Sequence, residues 1–94
     1  MESTVRNNAA EGQFEIEIDG KLGVTKYRLK PGRMILTHTE VPSELEGLGV
    51  GNTLARAALD YARSEGLRVV PRCLFISAFI QRHKEYQDLV DESV

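Results

Sequence analysis

Glu46-Gly47-Leu48-Gly49-Val50-Gly51-Asn52 places three glycines at alternate positions immediately before a helical pattern that starts at Val50. Glycine has no Cβ, so backbone N–H groups can crowd toward a ligand, and a helix start adds unpaired amides and the positive end of a dipole. The stretch therefore predicts an anion site for phosphate or pyrophosphate. A turn that merely lets strand and helix pack closely is the other reading of the same glycines. Two phosphate loops are excluded, because no Gly-Lys-Ser/Thr follows and the spacing is not G-x-G-x-x-G.

Downstream, Val50, Leu54, Ala57, Ala58 and Tyr61 recur at helical spacing over residues 50–65, and Gly66 is a natural stop. Residues 67–71 are short, β-branched and apolar, which reads as a strand, with Pro71 suited to an edge or to a place where strands part. A shorter helix follows at 75–82 and a further turn at 84–89. Upstream, Phe14, Ile16 and Ile18 alternate with Glu15 and Glu17 as in a half-buried strand, and Asp19-Gly20 supplies a hairpin turn. In the second strand, 21–29, Leu22 and Val24 fall out of phase with Tyr27 and Leu29, which predicts a bulge near Thr25 or Lys26. The third strand, 34–41, carries apolar residues on both faces and reads as central until Pro42 ends it. The order is β-β-β-α-β-α, an α+β fold in which an antiparallel meander precedes α-β-α. Residues 1–12 are polar and aperiodic and read as a flexible arm, 13–90 as the single domain, and 91–94 as a frayed tail.

The chain of 94 residues carries 28% charged and 41% hydrophobic residues with a net charge of −2. That suits one domain with one modest core and gives no field to attract nucleic acid. No run approaches the ~20 apolar residues of a membrane helix. The start lacks a basic segment followed by an apolar stretch, so a cytoplasmic location is expected. One cysteine and two histidines are a poor basis for a metal site, and none is expected. An open sheet edge leaves monomer and homodimer both open.

Three side chains stand out as chemistry. Cys73 lies just past the short strand and before a helix start, where it is either a small buried hydrophobe or a nucleophile. His38 and Glu40 lie two apart on a strand, hence on one face, where together they could relay a proton from an ammonium group. A polar strand end near solvent explains that pair equally well. Glu40, Glu44 and Glu46 would repel an anion at the loop, though screening within about 8 Å at physiological salt keeps the penalty modest. Arg56, Arg82 and Lys84 are the candidate compensating cations.

Read from Glu46, the opening stretch resembles the Q/R-x-x-G-x-G/A signature of the GNAT superfamily of acyl-CoA-dependent N-acetyltransferases. Gly49 and Gly51 match, whereas Glu46 stands where Gln or Arg is usual. His38-Thr39-Glu40-Val41-Pro42, Ala58-Leu59-Asp60-Tyr61-Ala62-Arg63, Val69-Val70-Pro71-x-Cys73 and His83-x-Glu85-Tyr86 look like the small single-domain GNAT-like proteins. The resemblance spans roughly residues 14–89 and implies a minimal acyl-CoA N-acyltransferase fold that lacks the first, acceptor-side helices. It implies acetyl-CoA or coenzyme A as cofactor, its pyrophosphate held by the backbone of Glu46, Gly47, Leu48, Gly49, Val50, Gly51 and Asn52. It implies pairing of the pantetheine arm with Thr39, Glu40 and Val41. It further implies acetyl transfer to an unidentified amine, with Cys73, Glu40 and His38 as catalytic candidates and Cys73 as a candidate intermediate. Tyr86 corresponds only loosely to the family's general acid and reads as packing. A CoA-binding or protein-interaction module without turnover is the alternative.

Overall fold

The computed structural model describes residues 4–91, and its first strand lies earlier than the periodicity suggests. β1 (Arg6–Asn8) pairs antiparallel with β2 (Gln13–Ile18), so the expectation of a flexible arm over 1–12 is corrected. The anchor is a side chain that hydrophobic periodicity does not register. Glu15 on β2 is 4% exposed. Its carboxylate accepts hydrogen bonds from the Arg6 guanidinium, from Asn8 Nδ2 at 2.9 Å and from Gln13 Nε2 at 2.5 Å. Residues 1–3 lie outside the described residues. At the other end the Asp91 amide donates to Val69 O at 2.9 Å, tying down the first residue of the expected tail, while 92–94 lie outside the described residues.

Asp19 and Gly20, with φ of 51° and 76°, make the mirror-image turn that matches strand twist and lead into β3 (Lys21–Lys30). β4 (Arg33–Glu40) follows, then a 3₁₀ turn at Ser43–Leu45 and α1 (Val50–Ser64). The chain continues through β5 (Arg68–Pro71), α2 (Leu74–Arg82) and a second 3₁₀ segment at Lys84–Leu89. The sheet runs β1-β2-β3-β4-β5, antiparallel except for the parallel pair β4–β5. This is the α+β arrangement expected from the element order, with one more strand.

One sheet face supplies Phe14, Ile16, Tyr27, Met34, Leu36 and Val69 to a core completed by α1 and α2, where Ala55, Ala58, Leu59, Ala62, Ile76 and Phe79 are fully buried. Small alanines on α1 let that helix lie close to the strands, as Gly23 also does. A Cβ at Gly23 would stand 3.0 Å from Val50 Cγ1. Among the described residues, both helices pack on this face alone.

The predicted bulge exists, but on the neighbouring strand. β3 alternates without interruption against β2, whereas against β4 Lys26 pairs with His38 and Tyr27 with Leu36, leaving Thr37 as the extra residue. Leu22 and Val24 are out of phase with Tyr27 because they occupy the face without helices, not because β3 slips. The bulge resets the phase of β4. Met34 and Leu36 point into the core, then Thr39, paired with Thr25, takes the core face and His38 and Glu40 take the other.

Candidate functional site

Beyond the bulge, β4 loses its parallel neighbour. β4 and β5 pair only as far as Leu36 and Pro71, after which the amides of Arg72 and Cys73 both donate to Leu36 O, at 3.0 and 2.9 Å, and the chain turns into α2. The last part of β4 is therefore open along one edge. A cleft of about 480 Å³ occupies the gap. Thr39 and Val41 form one wall, Leu45, Glu46, Gly47 and Gly49 the loop end, Val50, Gly51 and Asn52 the helix start, and Phe75 of α2 the opposite side.

The loop is built for amide donors. Gly47 and Gly49 adopt φ of 86° and 76°, the left-handed region that costs an L-residue roughly 1–2 kcal/mol, and no neighbour lies within 4 Å of where either Cβ would stand. Their need for glycine is conformational. Gly51 differs: its φ is ordinary, but a Cβ there would stand 2.7 Å from Phe75 Cζ. Helical bonding begins with the Thr53 amide donating to Gly49 O at 3.0 Å, so Val50, Gly51 and Asn52 present the N–H groups that every helix leaves unpaired. No side chain caps them and no acid stands in the first turn. The two positive-φ glycines and the helix start with its unpaired amides all line one cleft, an arrangement able to hold an anion.

Residues 13–89 match the family model for GCN5-related N-acetyl-transferases. The chain belongs to that family. As a member of the GCN5-related N-acetyltransferases it is 33% identical to protein NATD1 of Bos taurus over 84% of this chain and 73% of that one. It is 29% identical to protein NATD1 of Danio rerio over 92% and 83% of the two chains. The solution structure of a GCN5-like protein from Staphylococcus aureus superposes with a TM-score of 0.74 at 28% identity, covering 94% of this chain and 87% of that one. The fold expectation of a minimal acyl-CoA N-acyltransferase architecture is met by this likeness.

Of the family-derived candidates in this GCN5-related chain, Thr39, Val41, Glu46, Gly47, Gly49, Val50, Gly51 and Asn52 line the cleft. Leu48 belongs to the same loop but its side chain is 63% exposed and turned from the lining. His38 and Glu40 do share a face, with Nε2 3.0 Å from Oε1, but the bulge puts that face on the opposite side of the sheet. The structure therefore separates His38 and Glu40 from Cys73, the third of the catalytic candidates, and Glu40 from Thr39 on the cleft wall. Cys73 is 8% exposed and its thiol donates to Thr39 Oγ1 at 3.4 Å, with Thr39 in turn 3.1 Å from the hydroxyl of Thr25. It meets the cleft through Thr39 rather than directly.

The charges around the loop are arranged to limit repulsion. Glu44 lies 3.3 Å from Lys21, and its own backbone amide, then that lysine, hold its carboxyl below the usual range. Arg56 is not available to an anion in the cleft, since it sits 3.5 Å from Glu85 and over the rings of Phe79 and Tyr86. Arg82 and Lys84 are absent from the lining, which leaves Glu46 as its one charged side chain among the described residues. Tyr86 is buried, its hydroxyl donating to Asp60 at 2.8 Å, and burial, then Asp60, push its pKa up. That is the packing role expected of it. Phe75 is the site residue that sequence reasoning missed, because its partner Gly51 lies far away in the chain and no local signal links them.

Proposed function

We propose that this protein binds acetyl-CoA and transfers its acetyl group to an amine. The observation that carries the reading is the set of unpaired amides of Val50, Gly51 and Asn52 opening, with the Gly47 and Gly49 turns, onto a cleft that continues along the free edge of β4. The loop amides hold the pyrophosphate. The open edge at Thr39 and Val41 lies along the pantetheine arm. Acetyl-CoA supplies a thioester carbonyl carbon open to amine attack, with the thiolate as leaving group. Within the cleft the chain offers no lysine or arginine, so anion binding rests on backbone donors, whose contact-distance hydrogen bonds to a charged acceptor are strong. The proton of the acceptor amine leaves to water, since Glu46, the one lining carboxylate, belongs to the pyrophosphate end. Transfer is direct, because the Cys73 thiol is buried and donates to Thr39, while His38 lies on the other sheet face and His83 is bonded to Phe79 O. The lone free cysteine suits a reducing, cytoplasmic setting.

A second reading has an observation of its own. The scarcity of titratable groups in the cleft suits a coenzyme A-binding module without turnover. Titration with acetyl-CoA, followed by thermal unfolding and by thioester loss against a panel of small amines and lysine peptides, separates the two. Saturable binding should raise Tm by mass action, about 2.7 kcal/mol of stabilisation at a hundredfold excess over Kd. Thioester loss with any amine supports the transferase. Binding without turnover selects the module, and no binding at millimolar acetyl-CoA refutes both. Intact mass after incubation tests direct transfer: an acetyl adduct lost in Cys73→Ala would overturn it.

A further inference from the structure

On the sheet face that no described helix covers, Arg6 sits beside Glu15, and five more of the twelve lysines and arginines gather at the other end, on β3, β4 and β5. Lys26, Arg28 and Lys30 alternate along β3 with Tyr27 and Leu29, and strand register puts them beside the neighbours that share their face. Arg28 pairs with Ile35 and Ile35 with Val70, while Lys30 pairs with Arg33 and Arg33 with Arg68. Lys26, Arg28, Lys30 and Arg68 are exposed. Lys26, Arg28 and Lys30 have no ion pair or side-chain hydrogen bond among the described residues. Arg33 lies 3.9 Å from Asp91, and Arg68 donates to Val90 O at 2.9 Å. The acids of the same face, Glu15, Glu17 and Glu40, stand toward its other end; Glu15 is engaged by Arg6, Asn8 and Gln13 and Glu40 by His38, while Glu17 lies opposite Leu22. A chain of net charge −2 thus carries a concentrated cationic field on one side.

We propose that this face of β3, β4 and β5 is a docking surface for an extended acidic segment of a partner protein. Successive cations on β3 stand about 7 Å apart, two residues at ~3.4 Å each, which is also the spacing of same-face side chains on an extended peptide. Acidic residues at alternate positions would meet Lys26, Arg28 and Lys30 in step. Between the cations Ile35 is partly exposed, so the segment carries an apolar residue among its acids. Single-stranded nucleic acid fits less well, since among the described residues the one ring beside these cations, His38, is held by Glu40, which sets a carboxylate where a phosphate backbone would pass. An anionic membrane fits less well too. Of the exposed large hydrophobics among the described residues, Leu22 shares this face but lies at the far end of β3, and Leu29, Leu48, Leu74 and Phe75 lie off it, so no apolar anchor stands among the cations. A second copy packed face to face about a twofold axis would set cation against cation.

The experiment titrates the full chain into a fluorescein-labelled ten-residue peptide of alternating Glu and Val. Parallel titrations use a ten-nucleotide oligothymidylate and phosphatidylserine vesicles, all at low and at physiological salt. The expected result is saturable peptide binding that weakens with salt and weakens roughly tenfold when Lys26, Arg28 and Lys30 are all changed to Gln, with Tm and the acetyl-CoA response unchanged. Should that variant fail to fold, Arg33→Gln with Arg68→Gln tests the same face and should weaken binding several-fold. Tighter binding of the oligonucleotide or vesicles than of the peptide overturns the proposal. So does peptide binding that is absent or indifferent to both variants.

Discussion

Gly51 and Phe75 show how one position on the loop depends on another element. The ring of Phe75 lies where a Gly51 Cβ would be, and that ring is also a wall of the cleft. Gly51→Ala should therefore be less favourable in the wild type than in a Phe75→Ala background by about 1 kcal/mol, read from a double-mutant cycle in urea. Glu46 faces the same cleft with a charge of the wrong sign for an anion. Glu46→Gln should tighten acetyl-CoA binding about twofold at low salt, with the gain shrinking as salt screens the charge. Glu15 carries the pH dependence of the sheet edge. Hydrogen bonds from Gln13, Arg6 and Asn8 hold its pKa at about 2 instead of 4.5. A depressed folded-state pKa stabilises the fold above the unfolded value and loses that contribution as pH falls from about 4.5 through about 2. Acid unfolding of Glu15→Gln should lack that part of the pH dependence. The glycines were legible in sequence because backbone demands are local; the ring over Gly51 and the hydrogen bonds around Glu15 were not, because both join separate stretches of chain.

At the level of the element, the bulge in β4 decides which residues meet the cleft. The period of two was plain in β2 and β3, and a break in phase was plain as well. Its location was not, because Leu22 and Val24 out of step with Tyr27 fit either a slipped strand or a sheet whose second face is partly apolar. Register against β4 resolves this in favour of Thr37 as the inserted residue. Deleting Thr37 should remove the bulge yet keep Leu36 and Thr39 on the core face and His38 and Glu40 on the other, because those residues already alternate once the extra one is gone. With no polar side chain moved onto the apolar face, thermal unfolding should show a loss of only about 1 kcal/mol, and acetyl-CoA should still raise Tm. Replacing Thr37 with Ser keeps the extra residue and should leave Tm within about a degree or two and the ligand response intact.

For the whole molecule, the arrangement separates two surfaces with opposite chemistry. Both helices pack on one face, and the cleft opens where β4 and β5 part at the end of that layer. The other face stays bare and gathers cations from three strands. Sequence by itself determined the hairpin, the helix after the glycines, the order of the elements from β2 onward and the glycine turn before the helix, since these follow from periodicity and turn chemistry over a few neighbouring residues. Tertiary structure alone decided that Thr39 rather than His38 or Glu40 faces the cleft, that Cys73 is buried beneath Thr39, that Phe75 closes the loop, and that cations from β3, β4 and β5 form one patch. Each of these is a contact between strands or helices distant in sequence, fixed by register and packing, and a one-residue shift in register moves a side chain to the other side of the sheet.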